Sequence, residues 1–348
     1  MDLMKNIIGK IPAELNEEAM KGAKTHLDSM LKPLGSFGRL EELMIQLAGI
    51  KGQIKPLFSQ KAVVMMCADN GVYEEGFHSY PQDITRLIAE LSGDKGIVGG
   101  SVFSRFVGAN MVTVDVGVKG ELKGKHIIKK KVRHGTANIT KGPAMSRDET
   151  IKAVEAGIEV VGDLAEKGLD VLAVGEAGIC NTTTSAAMLA LLSGCPLSAV
   201  VGRGSGLDDE KLAQKLKIVE KAIMVNDPDK SDPIDILAKV GGLEIAGMVG
   251  CYLAAARYSI PVVIDGFISG VAALTATRIA SESKKFMIPS HVSAEPGAQV
   301  LLKELNLKPY LTLDMGLGEG TGAILTLNII DCGVRVMTEM GTFADLSE

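Results

Sequence analysis

The 348-residue chain contains no tryptophan, and aromatic residues make up only 4% of it. Its five cysteines lie far apart and include no Cys-x-x-Cys pair, and its five histidines are equally scattered. This spacing argues against a disulfide framework and against a thiolate zinc site, and it favours a reducing compartment. We therefore expect no structural metal ion and no disulfide.

A charge excess of one sign is also missing. The 37 basic and 42 acidic side chains give a net charge of −5, which leaves no field that would attract nucleic acid or an anionic membrane. The basic segment 120–141 has no interleaved aromatic residues, so a solvated hairpin or loop explains it better than a nucleic-acid patch. The composition predicts a small-molecule ligand rather than a nucleic acid.

Long hydrophobic runs are absent too. The longest apolar stretches, around 243–256 and 260–277, are interrupted by Arg257, Asp265 and several glycines, short of the ~20 residues that a membrane span needs. The first residues also lack the apolar region of a signal peptide. We expect a cytoplasmic protein without a membrane span.

One further motif is missing, namely two adjacent acids after a strand followed by a threonine-rich loop, which would indicate diphosphate with magnesium. The pair Asp208-Asp209 follows a glycine turn and enters a helix, where capping is the role that its position favours. We therefore expect a reaction that needs neither a metal ion nor a cofactor.

Glycine and aliphatic residues are abundant, with 40 glycines and 46% hydrophobic residues. Two helices come first, from Asn16 to about residue 31 and from Leu40 to about residue 50, and from Lys61 strands, glycine loops and helices alternate. The predicted strands are 62–67, 111–118, 170–174, 198–201, 261–264, 286–288 and 310–313. This alternation predicts an α/β fold with a mostly parallel sheet covered by helices, and the uneven spacing favours an open sheet over a closed barrel.

In such sheets, ligands bind outside the carboxyl ends of the strands. The unusual residues of this chain follow the predicted strands directly, so we expect their loops to face one crevice. These residues are Asp69, Glu176, Arg203, Asp265, His291 and Glu319.

Glu319 lies in a glycine-rich turn between the apolar run 310–313 and the apolar helix predicted for 321–330. Every second residue from 316 to 322 is glycine, which lets a backbone approach a ligand and leaves the carboxylate uncovered. Such a carboxylate suits a general base. The alternative on this turn alone is a surface glutamate beside a helix N-cap, with equal weight.

Two other loops have features of anion sites. The segment 175–185 places Gly178, Asn181 and three threonines at a helix N-terminus, where free N–H groups and the helix dipole favour an anion. The segment 202–206 adds Arg203, whose guanidinium can bind phosphate through paired hydrogen bonds. Neither loop matches a Walker A or dinucleotide motif, and a plain N-cap or turn explains each alone. Together they indicate a monophosphate ligand.

Several loops also match one known family, in the same order along the chain. The matching segments are 32–39 (Lys-Pro-Leu-Gly-Ser-x-Gly-Arg), 69–72 with 80–82, 175–184 (Gly-Glu-x-Gly-Ile-x-Asn-Thr-Thr-Thr), 201–206, 265–266, 290–297 (Ser-His-x-Ser-Ala-Glu-Pro-Gly) and 317–323 (Leu-Gly-Glu-Gly-Thr-Gly-Ala). They resemble the nicotinate-nucleotide–dimethylbenzimidazole phosphoribosyltransferases of cobalamin assembly, over residues 25–330 or so.

The resemblance implies a Rossmann-like parallel-sheet catalytic domain, here 59–330, and a small helical domain from both chain ends, here 1–58 with about 331–348. It also implies a homodimer. The implied reaction moves ribose 5-phosphate from nicotinate mononucleotide to a benzimidazole nitrogen, giving an α-ribotide and free nicotinate.

By the same resemblance, Glu319 is the proton acceptor and Glu176 a second catalytic acid. The residues expected to bind substrates are Ser79, Tyr80, Gln82, Gly178, Asn181, Thr182, Thr183, Gly202, Arg203, Gly204, Lys215, Asp265, Ser290, His291 and Leu317. The chain departs from the family at Gly316, where arginine is common, and at Ala298, where histidine is common. The acceptor base stays open among dimethylbenzimidazole, other benzimidazoles, purines and phenols.

Two other functions compete with this transferase. A non-catalytic sensor of nicotinate mononucleotide or of a corrinoid fragment would keep the phosphate loops and give Glu319 no task. A nucleoside hydrolase or glycosidase would also handle a ribosyl cation, but it would need acids that position a water molecule and would work with no acceptor base present.

Overall fold

The computed structural model of the protein describes residues 2–347, and its centre is one six-stranded sheet in which every strand pair is parallel. The strands are β1 (Lys61–Ala68), β2 (Asn110–Gly117), β3 (Ile128–Lys129), β4 (Val171–Ala177), β5 (Val262–Ile264) and β6 (Met287–Pro289). Their spatial order is β3-β2-β1-β4-β5-β6, with open edges. The predicted open, parallel α/β sheet is confirmed.

The strand order places a switch point between β1 and β4. The chain builds the sheet outward from β1 to β2 and β3, then returns to the other side of β1 with β4. Connections on the two sides therefore leave in opposite directions, and a crevice opens at the carboxyl ends of β1 and β4. Glu176 is the last residue but one of β4 and lies at this crevice.

Helices cover both faces of the sheet. Their bounds are α1 (Asp2–Ile8), α2 (Glu17–Ser29), α3 (Arg39–Lys51), α4 (Ile84–Glu90), α5 (Gly99–Phe106), α6 (Arg147–Glu166), α7 (Asn181–Ser193), α8 (Leu197–Val200), α9 (Asp209–Asn226), α10 (Pro233–Val240), α11 (Leu243–Arg257), α12 (Phe267–Ile279), α13 (Gly297–Leu305) and α14 (Thr321–Glu339). Within residues 2–347, none of the helices has the length and apolar character that crossing a membrane requires.

Three predicted helix starts are confirmed by their caps. The Asn16 side chain accepts a hydrogen bond from the N–H of Ala19, and Asp208 caps α9 in the same way. Ser146 and Glu149 form a capping box, in which each side chain accepts the backbone N–H of the other residue, at 3.2 and 2.8 Å. Each cap satisfies N–H groups that the first helical turn leaves unpaired.

The strand predicted at 198–201 is wrong, because this segment is mostly the short helix α8. Pro196 precedes the helix as its N-cap, and the N–H of Val201 bonds to the carbonyl of Leu197 at 2.9 Å. Periodicity does not separate a four-residue apolar strand from one apolar helical turn, so the sequence pattern was ambiguous there.

The strand predicted at 310–313 is also wrong. Only Leu311 forms a β-bridge, a parallel one to His291. Pro309 has no N–H to extend the pairing on one side, and Asp314 adopts a left-handed φ of 52° that turns the chain on the other. Before the glycine-rich turn the chain is therefore irregular.

The two chain ends meet on one side of the sheet. Helices α2 and α3 pack on each other and α3 packs on α14, while Met30 and Thr342 form an antiparallel bridge. Arg39 donates to the carbonyls of Lys308 and of Pro309, the latter at 2.7 Å. The division into a helical domain and a sheet domain stays a prediction.

Candidate functional site

A cavity of about 350 Å³ opens at the carboxyl ends of the strands, at the switch point. Thirteen of the predicted site residues line it: Tyr80, Glu176, Gly178, Asn181, Thr182, Thr183, Arg203, Gly204, Lys215, Asp265, His291, Leu317 and Glu319. Four others do not, namely Ser79, Gln82, Gly202 and Ser290. The structure thus collects loops from across the chain at one place, as the alternation of elements predicts.

Two of the four remaining residues support the lining from behind. The carbonyl of Gly202 accepts a hydrogen bond from Lys215 Nζ at 2.8 Å. Ser290 is buried. Its Oγ donates to the carbonyl of Asp265 at 3.1 Å, and the same Oγ lies 2.9 Å from His291 Nδ1. Both residues position groups that do line the cavity.

The other two lie on the loop after β1. Ser79 is exposed, and the backbone N–H of Gln82 donates to the Tyr73 hydroxyl at 2.9 Å. The amide oxygen of Gln82 accepts from Lys119 Nζ at 3.3 Å. Asp69, expected in the crevice, is buried instead, where its Oδ2 accepts the N–H of Lys119 at 2.7 Å. It holds two loops together below the cavity.

Glu319 is presented to the cavity by a strained turn. Its φ is 58°, and its side chain is buried, with the residue 7% exposed. Carboxylate Oε2 accepts the N–H of Gly100 at 2.8 Å, in the first turn of α5. Burial raises the pKa of this carboxyl, and the N–H groups of Gly99 and Gly100 oppose the rise. The surface-glutamate alternative is wrong.

Asp265, at the end of β5, holds this turn. Its Oδ1 accepts N–H groups from Gly322 at 2.8 Å and Ala323 at 3.1 Å, and its Oδ2 accepts the N–H of Gly320 at 3.1 Å. These N–H groups belong to the start of α14, so Asp265 caps that helix from a neighbouring strand. Burial nevertheless raises its pKa to about 6. Its main role here is to fix the position of Glu319.

Glu176 occupies a different electrostatic environment. It is buried, and its Oε2 accepts a hydrogen bond from Asn181 Nδ2. Burial, with the negative charges of Glu244, Asp265 and Glu319, raises its pKa to about 8. Near neutral pH Glu176 is therefore mostly protonated, while Glu319 keeps N–H donors that favour its ionised form. Two carboxyls in one cavity are thereby suited to opposite proton roles.

Lys215 forms the cationic end of the cavity. It is 1% exposed, and its Nζ donates to Thr182 Oγ1 and to the carbonyl of Gly202, both at 2.8 Å. Burial lowers its pKa to about 8. Beside it the chain enters α7, and the buried hydroxyl of Thr183 has no hydrogen-bond partner. A cation, a helix N-terminus and a free hydroxyl form a site for an anion.

Arg203 points elsewhere. Its side chain is 52% exposed and pairs with Asp209, and one guanidinium N–H donates to the carbonyl of Leu207 at 2.8 Å. The guanidinium is therefore engaged at the rim, whereas Lys215 is enclosed. The role of Arg203 in binding phosphate stays a prediction, and the geometry favours Lys215.

Sequence reasoning missed three residues that build the site. Gly99 and Gly100 receive the Glu319 carboxylate, and a side chain on Gly100 would put Cβ 2.4 Å from the Glu319 carbonyl oxygen. Glu295 lines the cavity and accepts the N–H of Gly204 at 2.7 Å. A Gly-Gly pair opening a helix was the available signal for the first two, and Glu295 lies inside the segment 290–297.

Within residues 2–347, no three His, Cys, Asp or Glu side chains are grouped so as to hold a metal ion.

Comparison with known proteins finds relatives over nearly the whole chain. The family model described as phosphoribosyltransferase matches residues 13–347. The chain is 50% identical over 332 residues to the nicotinate-nucleotide–dimethylbenzimidazole phosphoribosyltransferase of Ruminiclostridium cellulolyticum, covering 95% of this chain and 94% of the relative. The same-named protein of Acetivibrio thermocellus is 49% identical with the same coverage. The crystal structure of CobT from Thermus thermophilus superposes with a TM-score of 0.90 at 37% identity, covering 95% of this chain and 98% of that one.

Proposed function

Because the chain belongs to the nicotinate-nucleotide–dimethylbenzimidazole phosphoribosyltransferase family, we propose which of its residues carry out that family's reaction. The protein is a pentosyltransferase of cobalamin synthesis. It transfers the 5-phosphoribosyl group from nicotinate mononucleotide to a benzimidazole-type base, giving α-ribazole 5′-phosphate and nicotinate. The observation that carries the assignment of roles is the buried Glu319 carboxylate, which a left-handed turn presents at the cavity wall.

Glu319 acts as the general base. The bond between C1′ and the pyridinium nitrogen breaks, and a bond forms between C1′ and a benzimidazole nitrogen. The leaving pyridinium already carries positive charge and needs no acid, whereas the acceptor must lose its N–H proton, which passes to the Glu319 carboxylate. The same negative charge stabilises an oxocarbenium-like ribose in the transition state.

Glu176 acts in its protonated form. With a pKa of about 8 it retains its proton at neutral pH, so it can donate a hydrogen bond to a substrate oxygen and does not compete with Glu319 as a base. Asn181 fixes one of its oxygens. We assign to Glu176 the orientation of the ribose.

The phosphate lies at the other end of the cavity. Lys215, the N-terminus of α7 and the hydroxyl of Thr183 supply a charge, a helix dipole and a donor. The acceptor contacts the apolar part of the wall, which includes Phe77, Ile84 and Ile88. An apolar wall selects aromatic bases but discriminates one or two methyl groups by only ~1–3 kcal/mol.

The function is tested by incubating the purified protein with nicotinate mononucleotide and a panel of benzimidazoles, purines and phenols, and identifying the products by mass. We expect an α-ribotide and nicotinate in equal amounts, with no consumption of donor when the base is omitted. Ribose 5-phosphate formed without a base would indicate a hydrolase, and tight donor binding without any product would indicate a sensor.

The reaction should not depend on a metal ion, so the yield of α-ribotide should be unchanged in excess EDTA. A loss of activity that added magnesium restores would contradict the metal-independent assignment.

We also propose that the protein is a homodimer. Several large apolar side chains are exposed. Leu317 at the cavity wall is 61% accessible, Ile97 before α5 is 62% and Phe106 at the end of α5 is 79%, and Leu34 on the loop between α2 and α3 is 76% accessible. Exposed apolar groups of this size are typical of interfaces. Sedimentation equilibrium should give twice the chain mass of 36.6 kDa, and Phe106→Glu should shift the protein to the monomer. A mass of 36.6 kDa for the parent at micromolar concentration would contradict the proposal.

Two further expectations, on the domains and on the location of the protein, complete the proposal. We propose that residues 1–58 and about 331–348, of which Met1 and Glu348 lie outside the described residues, belong to a small helical domain, and that 59–330 form the catalytic domain. All five cysteines are free thiols, which supports a cytoplasmic location.

A further inference from the structure

A buried acid lies behind the cavity wall and takes no part in the roles assigned above. Glu244, on α11, faces Asn70 in the loop after β1, and both residues are 0% exposed. Asn70 Nδ2 donates to Glu244 Oε1 at 2.7 Å and to the carbonyl of Ile179 at 3.2 Å. Because Ile179 lies in the turn that leads into α7, this pair touches the wall of the cavity from behind.

Each member of the pair has an oxygen without a partner. Asn70 Oδ1 and Glu244 Oε2 are buried and receive no hydrogen bond. Each lies 2.7 Å from the position that a Cβ on Gly242 would take, and Glu244 Oε1 lies 2.8 Å from it, so the acid and the amide meet beside Gly242. An ionised carboxylate accepts hydrogen bonds and donates none. With Glu244 ionised, both oxygens would therefore be buried acceptors without a donor.

A single proton on Glu244 satisfies both oxygens. The O–H of Glu244 Oε2 then donates to Asn70 Oδ1, while Asn70 Nδ2 donates to Glu244 Oε1, and the acid and the amide close a hydrogen-bonded ring. The groups that face Glu244 do not oppose this. They are Asp69 after β1, Cys67 on β1 and Glu176 on β4, none of them a cation. Burial raises the pKa of Glu244 to about 7, with a smaller contribution from the charge of Asp69, although the hydrogen bonds from Asn70 and from the backbone of Glu244 itself oppose the rise.

We propose that Glu244 is a positioning residue that works as a neutral carboxylic acid, sharing its proton with Asn70. The closed ring holds the turn at Gly178 and Ile179 against the sheet, since a Cβ on Gly178 would lie 3.1 Å from Glu244 Oε1. With Glu244 neutral, burial and the charges of Asp265 and Glu319 are what keep the pKa of Glu176 raised. The catalytic side of this inference rests on the proposed function, whereas the protonation of Glu244 does not.

The proton gives the folded protein a distinct pH dependence. A carboxyl whose pKa is raised from 4.5 to about 7 contributes stability that is fully present below pH 4.5 and is lost as the pH rises through about 7. Above that pH the ring opens, and the turn that leads into α7 loses its brace. Binding of the mononucleotide should weaken over the same range.

Infrared difference spectroscopy of Glu244→Gln against the parent, near pH 6, tests the protonation directly. We expect loss of the carbonyl stretch of one protonated carboxylic acid. Glu75→Gln is the matched control, because Asn138 donates to Glu75 at the same 2.7 Å but the hydrogen bonds from Asn138 and Thr140 lower the pKa of Glu75. The control should lose carboxylate bands only. Loss of carboxylate bands in Glu244→Gln as well would overturn the proposal.

A second experiment measures how the kinetic constants and the urea unfolding midpoint depend on pH. Glutamine can form the same ring through its amide, so Glu244→Gln should fold and, at pH 6, match the parent in kcat and in KM for the mononucleotide. Between pH 6 and 8.5 the KM of the parent should rise several-fold more than that of the variant, and its urea unfolding midpoint should fall further. Parallel pH dependences for parent and variant would contradict the proposal. If the protein turns over no mononucleotide, the infrared and unfolding results still decide the protonation of Glu244.

Discussion

Replacing Glu319 by glutamine should lower kcat ~10²–10⁴-fold, the usual contribution of a general base, and leave the KM for nicotinate mononucleotide nearly unchanged. Glutamine keeps the shape and one carbonyl oxygen that can accept the N–H of Gly100. In the proposed mechanism it removes both the proton acceptor and the negative charge that stabilises the ribose in the transition state. Steady-state kinetics with saturating acceptor would measure the effect.

The pH profile provides a second test of the same role. Burial raises the pKa of Glu319, so the parent rate should fall on acidification as this carboxyl takes up a proton. That acidic limb should be missing in Glu319→Gln.

Glu176→Gln is the matched control for this substitution. Glu176 is mostly protonated near neutral pH because its pKa is about 8, so its neutral amide substitute should cost much less activity than the same change at Glu319. Parent-like turnover by Glu319→Gln, together with an inactive Glu176→Gln, would transfer the base to Glu176.

Replacing Lys215 by methionine should lower kcat/KM for nicotinate mononucleotide about 10–100-fold, the range expected from losing a hydrogen bond to a charged group. The rate with nicotinate riboside, which has no phosphate, should change little, so the preference for the phosphorylated donor should narrow. Lys215 is only 1% exposed. Methionine retains much of its buried aliphatic stem and removes the ammonium group.

Arg203→Met is the control that tests whether Arg203, rather than Lys215, is the cation that binds the phosphate. The Arg203 guanidinium is half exposed and already paired with Asp209, so its loss should narrow the donor preference far less than loss of Lys215. A larger effect at Arg203 would show that the guanidinium turns inward when the donor binds. Equal rates of the parent with both donors would remove the phosphate site altogether.

The sequence alone predicted the parallel α/β sheet and most of the side chains that we named and that line the cavity. Alternating apolar runs and glycine loops predicted the parallel sheet, because strands buried on both faces are continuously apolar and their loops must emerge at one edge. The helix caps at Ser146 and Asp208 could also be predicted, because these hydrogen bonds join residues only three positions apart in the sequence. The secondary structure of short segments without such signals, such as 198–201, could not be predicted from the sequence.

The tertiary structure decided what each group does. The chain order places Asn70 and Glu244 174 residues apart, and no local pattern says that they share a buried contact. Asp265 and Glu176 follow predicted strands as Glu319 follows its apolar run. In the structure, however, Asp265 caps α14, and Glu176 lies within β4 with a pKa raised to about 8. Proton affinity and hydrogen bonding depend on the distance to charges and water in space, and folding fixes these distances.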